Sequence, residues 1–253
     1  MDPIASYLKE LNRKSQGYRP TWLPNLPLQL GNVGVLEKEV FRKEATLESL
    51  GIAFESETSE SNSNIDLSSE SGITVITKVE GKVEPKAVSL GVADAGFIVE
   101  FNNKNCFVFR IRGSRTSIIQ NLADVKAEVL RRYDANDWDP NLVIISEIIE
   151  AKSATILLSG QAGAKIELKA QGDLNVATMD IADAGLNLRL ESGQSLAAQI
   201  IGQKGITPLY RVVGIKKRLF SSGFAGREPG DEPQTKKDDI EVAEIEMESL
   251  PEE

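Results

Sequence analysis

The sequence predicts an α+β fold: a central twisted antiparallel sheet with flanking helices and amphipathic hairpins. Three observations predict it. Apolar residues change from helical spacing to alternation at Ile73, a helical island interrupts the alternating runs at 117–133, and strand-like runs resume at Leu142.

The elements follow in order. Ile4, Leu8 and Leu11 fall at i, i+4 and i+7 with Tyr7 beside them, and Asp2 and Pro3 suit a cap and a first helical residue, so a short amphipathic helix is expected to end near Gly17. Its polar face carries Lys9, Arg13 and Lys14. Residues 55–70 are rich in Ser, Glu and Asn and read as an exposed loop. Strands follow on Ile73, Val75, Thr77 and Val79, then on Phe97, Val99 and Phe101, then on Phe107, Phe109 and Ile111. Ile118, Leu122, Val125, Val129 and Leu130 place a helix over 117–133, broken by 134–140. The β-branched run 142–149 reads as a strand buried on both faces.

The clearest alternation comes next. Ala164, Ile166, Leu168, Ala170, Leu174 and Val176 alternate with Lys165, Glu167, Lys169, Gln171, Asp173 and Asn175, and Leu186, Leu188 and Leu190 repeat the pattern. A last strand near 208–215 leads into Lys216, Lys217 and Arg218. Such an amphipathic strand has two physical uses: it lies half-buried on a core, or it spans a bilayer within a closed barrel. Periodicity does not separate them.

Composition narrows the chemistry. With 253 residues, 41% of them hydrophobic, the chain can bury a sizeable core. It has no histidine, which removes Ser-His-Asp and Cys-His nucleophile pairs and nearly all catalytic zinc sites. The single cysteine, Cys106, excludes an internal disulfide and reads as a buried small hydrophobe beside Phe107. No phosphate-binding loop, dinucleotide fingerprint or calcium loop is present, and the reading calls for no enzyme activity, cofactor or metal. No signal peptide and no apolar run long enough for a transmembrane helix are visible, so a cytoplasmic protein is expected. A pI near 4.9 with 6% aromatics argues against nucleic acid as a partner.

Charge divides the chain into a body, 1–222, and a tail, 223–253. Residues 228–253 hold 11 acidic and 2 basic residues, which leaves 27 of each in residues 1–227 and puts the whole net charge of −9 in 228–253. The tail is expected to be largely disordered. One stretch of it, 240–250, spaces Ile240, Val242, Ile245, Met247 and Leu250 among the acids and suits docking.

Several phrases are collinear with a known family. The first helix is followed by a strand pair at 30–41, then by Arg42, Lys43, Glu44, Ala45, Thr46 and Leu47, then by the polar stretch 55–70. The Val-Glu-Gly run at 79–81 precedes Pro85 and Lys86, the apolar strand begins at Asn141, and the chain ends its last strand at 210–217 in a basic cluster. Over residues 3–220 this order resembles the pore-forming amino-terminal domain of the gasdermin family. The short acidic stretch after Phe220 is more similar to bacterial and fungal members than to animal ones, although no cysteine stands near the amino terminus where bacterial members often carry a lipid.

The resemblance implies a protein that rests in the cytoplasm, moves to the membrane on activation and assembles as a homo-oligomer into a β-barrel pore that causes cell death. An activating protease is among the implied partners, as are anionic membrane lipids. First contact with lipid is implied for Lys9, Arg13 and Lys14, for Arg42 and Lys43, and for Lys216, Lys217 and Arg218. Insertion is implied for hairpins within 72–112 and 152–192, carrying Ile73, Val75, Val79, Ile166, Leu168, Leu174, Val176 and Leu188. Two readings compete with it: a non-lytic protein-binding module built on the same sheet, and an enzyme using carboxylates or lysine in a cleft.

Overall fold

Alternation wins over helical spacing along most of this chain, and strand pairing therefore dominates the architecture. The structure, a computed structural model, describes residues 3–21, 28–59, 63–69, 72–79, 82–84, 96–170, 188–194, 196–201, 205–217 and 240–247. Among them are two helices, α1 (Pro3–Lys14) and α2 (Leu122–Asp134), and sixteen strands. The amino-terminal strands are β1 (Arg19–Pro20), β2 (Asn32–Glu37), β3 (Val40–Thr46), β4 (Ser56–Thr58) and β5 (Ser63–Ser68). Then come β6 (Ile73–Val79), β7 (Lys82–Glu84), β8 (Gly96–Phe101), β9 (Phe107–Ile119), β10 (Val143–Ala151) and β11 (Ser153–Ser159). The last are β12 (Ala164–Ala170), β13 (Leu188–Gln194), β14 (Leu196–Ile201), β15 (Ile206–Lys217) and β16 (Ile240–Glu244).

Every strand pairing among the described residues is antiparallel, as expected. The sheet is not single, however. Eleven strands form one sheet with the path β1-β15-β10-β9-β11-β14, and five form a second in the order β13-β12-β8-β6-β7. Helices are a minor part of this sheet-dominated fold.

Both helices pack on one side of the large sheet. Leu209 belongs to the cluster under α1 and Val213 to the cluster under α2, and four residues apart on β15 they share a face. From α1, Tyr7, Leu8 and Leu11 are buried against Phe107, Phe109 and Leu158, and the Tyr7 ring meets Phe107 edge-on at 5.4 Å. From α2, Val125 and Val129 are buried against Ile144, Val213 and Trp138. The opposite side carries a third cluster, in which Tyr210 and Val212 of β15 meet Ile145 and Ile148. This two-sided cover is why β10, as its β-branched run predicts, is buried along nearly all its length.

Two expectations are corrected, and the tail stretch that suits docking is given a place. Residues 117–119 belong to strand β9, where Ser117 and Ile118 pair with Ile148 and Glu147, so the helix begins only after Asn121. Residues 56–58 and 63–68 are largely exposed but not a loop, since β4 and β5 add onto β9. Within the tail, 240–244 form a strand that pairs with β15; residues 223–239 and 248–253 lie outside the described residues.

Candidate functional site

The two candidate hairpins, read from sequence within 72–112 and 152–192, lie side by side, and pairing extends their outer arms to β5 and β14 beyond those bounds. In the first, one arm is β5 followed by β6 and the other is β8 followed by β9; β6 pairs with β8 and β5 with β9. In the second, one arm is β11 followed by β12 and the other is β13 followed by β14; β12 pairs with β13 and β11 with β14. The inner arms then pair with each other, β8 with β12 and β9 with β11. Four antiparallel arms thus run through both sheets.

Register brings several of the predicted insertion residues into common rows. Val75, Val99 and Ile166 are partners across β6, β8 and β12, and so are Ile73, Phe101 and Ala164. Thr77, Phe97, Leu168 and Leu190 make the next row, and Leu188 pairs with Ala170. Of the two intervening rows, one is polar, with Thr74, Glu100, Lys165 and Gln194 as partners and an ion pair between Lys165 and Glu100, whereas the other sets Ile76 and Ile98 beside Glu167 and Ser192. Val99, Phe101, Ala164, Ile166 and Leu168 are buried in this state. Val79 pairs with Lys82 at the far end of β6, while Leu174 and Val176 lie outside the described residues.

The basic clusters divide into two places. Arg42 and Lys43 on β3 are register partners of Val35 and Gly34, Gly34 of Val143, and Val143 of Gly214, which puts them at the same end of the sheet as Lys216 and Lys217. Gly34 is required there, because a Cβ would fall 2.0 Å from the Arg42 carbonyl oxygen. Lys43 and Lys216 are exposed, and Arg42 is exposed but paired with Glu37 at 3.0 Å and Glu44 at 3.1 Å. Arg218 lies outside the described residues. The α1 cluster sits apart from these, near the start of β15, with Arg13 exposed, Lys9 half-buried and Lys14 within 3.8 Å of Glu10.

Sequence reasoning marked 240–250 as able to dock but missed where it docks and the Arg19 contact that holds it. The outer edge of β15 is shared by two strands, β1 opposite Leu209 and Tyr210 and β16 opposite 213–217. Arg19 of β1 is 1% exposed, pairs with the Glu39 carboxylate, and donates to the carbonyls of Ile245 at 3.0 Å and Glu246 at 2.7 Å. Glu39 reaches it from a tight turn in which Lys38 and Glu39 both have positive φ, 49° and 67°. Burial pushes the adjacent Tyr210 hydroxyl up to about 12. Arg211 stacks 4.2 Å from the Tyr18 ring centroid and lies 3.6 Å from Glu244 and 3.7 Å from Glu147. Burial, with the bond Tyr18 donates to Glu147, holds the Tyr18 hydroxyl well above its ordinary value. Val242 inserts into the α2 cluster and Met247 packs on the α1 cluster.

Comparison with protein-family models and with curated proteins gives no match for this sequence. No group of His, Cys, Asp and Glu side chains suited to a metal ion occurs among the described residues, and no described helix is long and apolar enough to cross a membrane.

Proposed function

We propose that this chain is a membrane pore-forming protein of gasdermin type, which oligomerises on anionic lipid into a β-barrel and permeabilises the membrane, causing cell death. One observation carries the reading: two amphipathic hairpins far apart in sequence are already neighbours through β8 and β12, with apolar rows in register. A bilayer is crossed by roughly 9–11 residues of tilted strand. The described arm from Ser153 to Ala170 is longer than that, so it suffices for a span. Because lipid offers no hydrogen bonds, such hairpins must pair edge to edge between subunits until the ring closes.

In this reading the tail strand is the restraint. It occupies the β15 edge beside the basic end of the sheet and is held from the body by Arg19. A short tethered segment holds a resting state through its differential affinity for that state, and tethering keeps its effective concentration around millimolar. The activator is then a protease acting between the body and Ile240, and the resting protein is cytoplasmic.

The burial of Ile166 and Leu168, 0% and 1% exposed, favours a second reading, a permanently soluble protein-binding module. Dye leakage separates the two. The folded full chain, before and after proteolytic cutting within 223–230, is added to phosphatidylserine-containing and neutral vesicles. Leakage from the anionic vesicles that rises on cutting is the expected result; no leakage from either form at any lipid composition overturns the pore in favour of the module.

A further inference from the structure

The four hairpin arms are interrupted at one level, between the large sheet and the five-stranded sheet, and the interruptions differ in a way that has mechanical meaning. On the inner arms, Phe101 is the partner of Ala164 and Phe107 the partner of Leu158. Residues 102–106 on one arm and 159–163 on the other fill the gap, five on each. The ladders on the two sides therefore share one register, and closing the gap needs no slip. Part of it is closed already: Gly163 N–H donates to the Phe101 carbonyl at 2.7 Å and Ser159 N–H to that of Cys106 at 2.9 Å.

The outer arms do not match. Ser68 pairs with Val108 and Ile73 with Phe101, which sets four residues against six. Ser159 pairs with Leu196 and Lys165 with Gln194, which sets five residues against one. The first mismatch is even, so that arm can be brought into line without moving its apolar residues to the opposite face; on the second, the ladder of β11 with β14 shifts register by one between Leu158 and Ser159, so from the regular pair Leu158 and Ala198 six residues face three and the bulge must be resolved as well.

Local backbone conformation keeps the inner gap open. Asn105 has φ +60° and Gly163 φ +79°, values that a strand residue does not adopt. The Cys106 N–H donates at 2.9 Å to the Ser159 side-chain oxygen instead of to a ladder carbonyl.

We propose that 102–106 and 159–163 form a paired hinge: on insertion the inner arms zip through it in their existing register, giving continuous ladders over 96–112 and 153–169, while the outer arms must slip to follow. The inference rests on the pore reading and adds to it the order of events, inner arms first, and the residues that hold the hinge bent. On the zipped ribbon Phe97, Val99, Phe101, Phe107, Phe109 and Ile111 keep one face, because the spacing through the hinge preserves alternation.

The test uses the full chain, cut within 223–230 after folding, on phosphatidylserine vesicles. Gly163→Val is strained at positive φ but suits a strand, and no atom lies within 4 Å of the added Cβ, so the bent state alone is penalised. Its leakage rate is expected to rise by about five- to thirty-fold. Asn105→Gly relieves the bent state and is expected to slow leakage by several-fold. Spin labels at exposed Lys152 and Lys165 read the hinge independently of leakage: zipped, the 13-residue interval spans roughly 44 Å. A shift of the label separation toward that length on vesicles, larger for Gly163→Val and smaller for Asn105→Gly, supports the hinge. Leakage with an unchanged separation, or with both variants matching the parent, overturns the hinge and leaves the pore standing. Absence of leakage from parent and variants alike, with the separation unchanged, overturns both.

Discussion

Replacing Arg19 by Met together with Glu39 by Gln should free the carboxy-terminal strand while leaving the body folded. Arg19 is 1% exposed, and its guanidinium donates to two carbonyls of the tail, those of Ile245 and Glu246. Hydrogen bonds from a charged donor are worth about 1.5–3 kcal/mol each, so losing both weakens docking by about 3 kcal/mol at the least. That corresponds to a rise of more than a hundredfold in the undocked fraction. Arg19→Met alone would be ambiguous, because it strands the Glu39 carboxylate, whose side chain is 12% exposed, and breaking a buried pair costs about 3–5 kcal/mol in the body itself. Replacing both partners by neutral side chains of similar shape avoids that cost. The assay is native-state amide exchange at Ile245, whose N–H donates to the Val212 carbonyl at 3.2 Å, with Ile52 as the body reference, its N–H donating to Leu47 at 2.8 Å. Protection should fall at Ile245 and hold at Ile52. A parallel fall at both, or none at Ile245, would refute the role given to Arg19.

Two further predictions concern the hairpin face and the buried tyrosines. Leu168→Asp places a carboxyl at a site 1% exposed and opposite Phe97, so it should lower stability by about 3 kcal/mol or more and abolish leakage; a variant that is folded by circular dichroism yet leaks like the parent removes β12 from the pore. Tyr7 and Tyr210 are raised by burial, and Tyr18 by burial and the Glu147 bond, so three of the four tyrosines should resist ionisation at their ordinary pH near 10. Because these pKa values are raised in the folded state, the stability linked to them is complete below about 10 and is lost as pH rises through 12 and beyond. Ultraviolet titration checks this: ionisation of all four tyrosines near 10 with the fold intact would contradict the packing around them.

The elements that sequence made legible are those whose local pattern and tertiary environment agree. Ile4, Leu8 and Leu11 keep helical spacing and all reach the cluster under α1, and the β-branched run of β10 meets cover on both sides. Pattern misled where a contact from elsewhere decided the conformation. Ile118 and Leu122 stand four apart as a helix requires, but Ser117 and Ile118 are claimed by pairing with β10 and β4, and Ile118 is 37% exposed. The Asn121 side chain, which could have marked the true helix start, accepts the Glu55 N–H at 2.8 Å instead of capping α2. Residues 56–58 and 63–68 have weak strand propensity and become strands because β9 offers an edge, reinforced by the Arg112–Asp66 pair at 2.6 Å and the bond from the Ser114 hydroxyl to the Ser63 carbonyl at 2.8 Å. Arg19 gave no local signal at all, since its tail partners are more than 200 residues away.

Those partners also decide what kind of force holds the tail, and here the charge asymmetry of the sequence points the wrong way. An acidic tail beside a basic strand end suggests an ionic latch that salt would release. In the structure the charges that face each other across β15 and β16 are peripheral: Glu244 approaches Arg211 only to 3.6 Å and is itself 47% exposed, and Glu241 stands opposite the exposed Lys216. Exposed pairs of this kind are worth about 0–1 kcal/mol and fade within a Debye length of roughly 8 Å at physiological salt. The remaining contacts are the strand ladder, Val242 at 6% exposure in the α2 cluster, Met247 on the α1 cluster and the buried Arg19 clamp, none of which salt screens appreciably. Raising salt should therefore change tail docking by no more than about fivefold, whereas cutting the chain within 223–230 removes the tether and with it the millimolar effective concentration. Ile245 exchange measured against salt concentration on the intact chain separates the cases. If high salt alone exposes the tail as fully as cutting does, the latch is electrostatic and the buried contacts do not hold it.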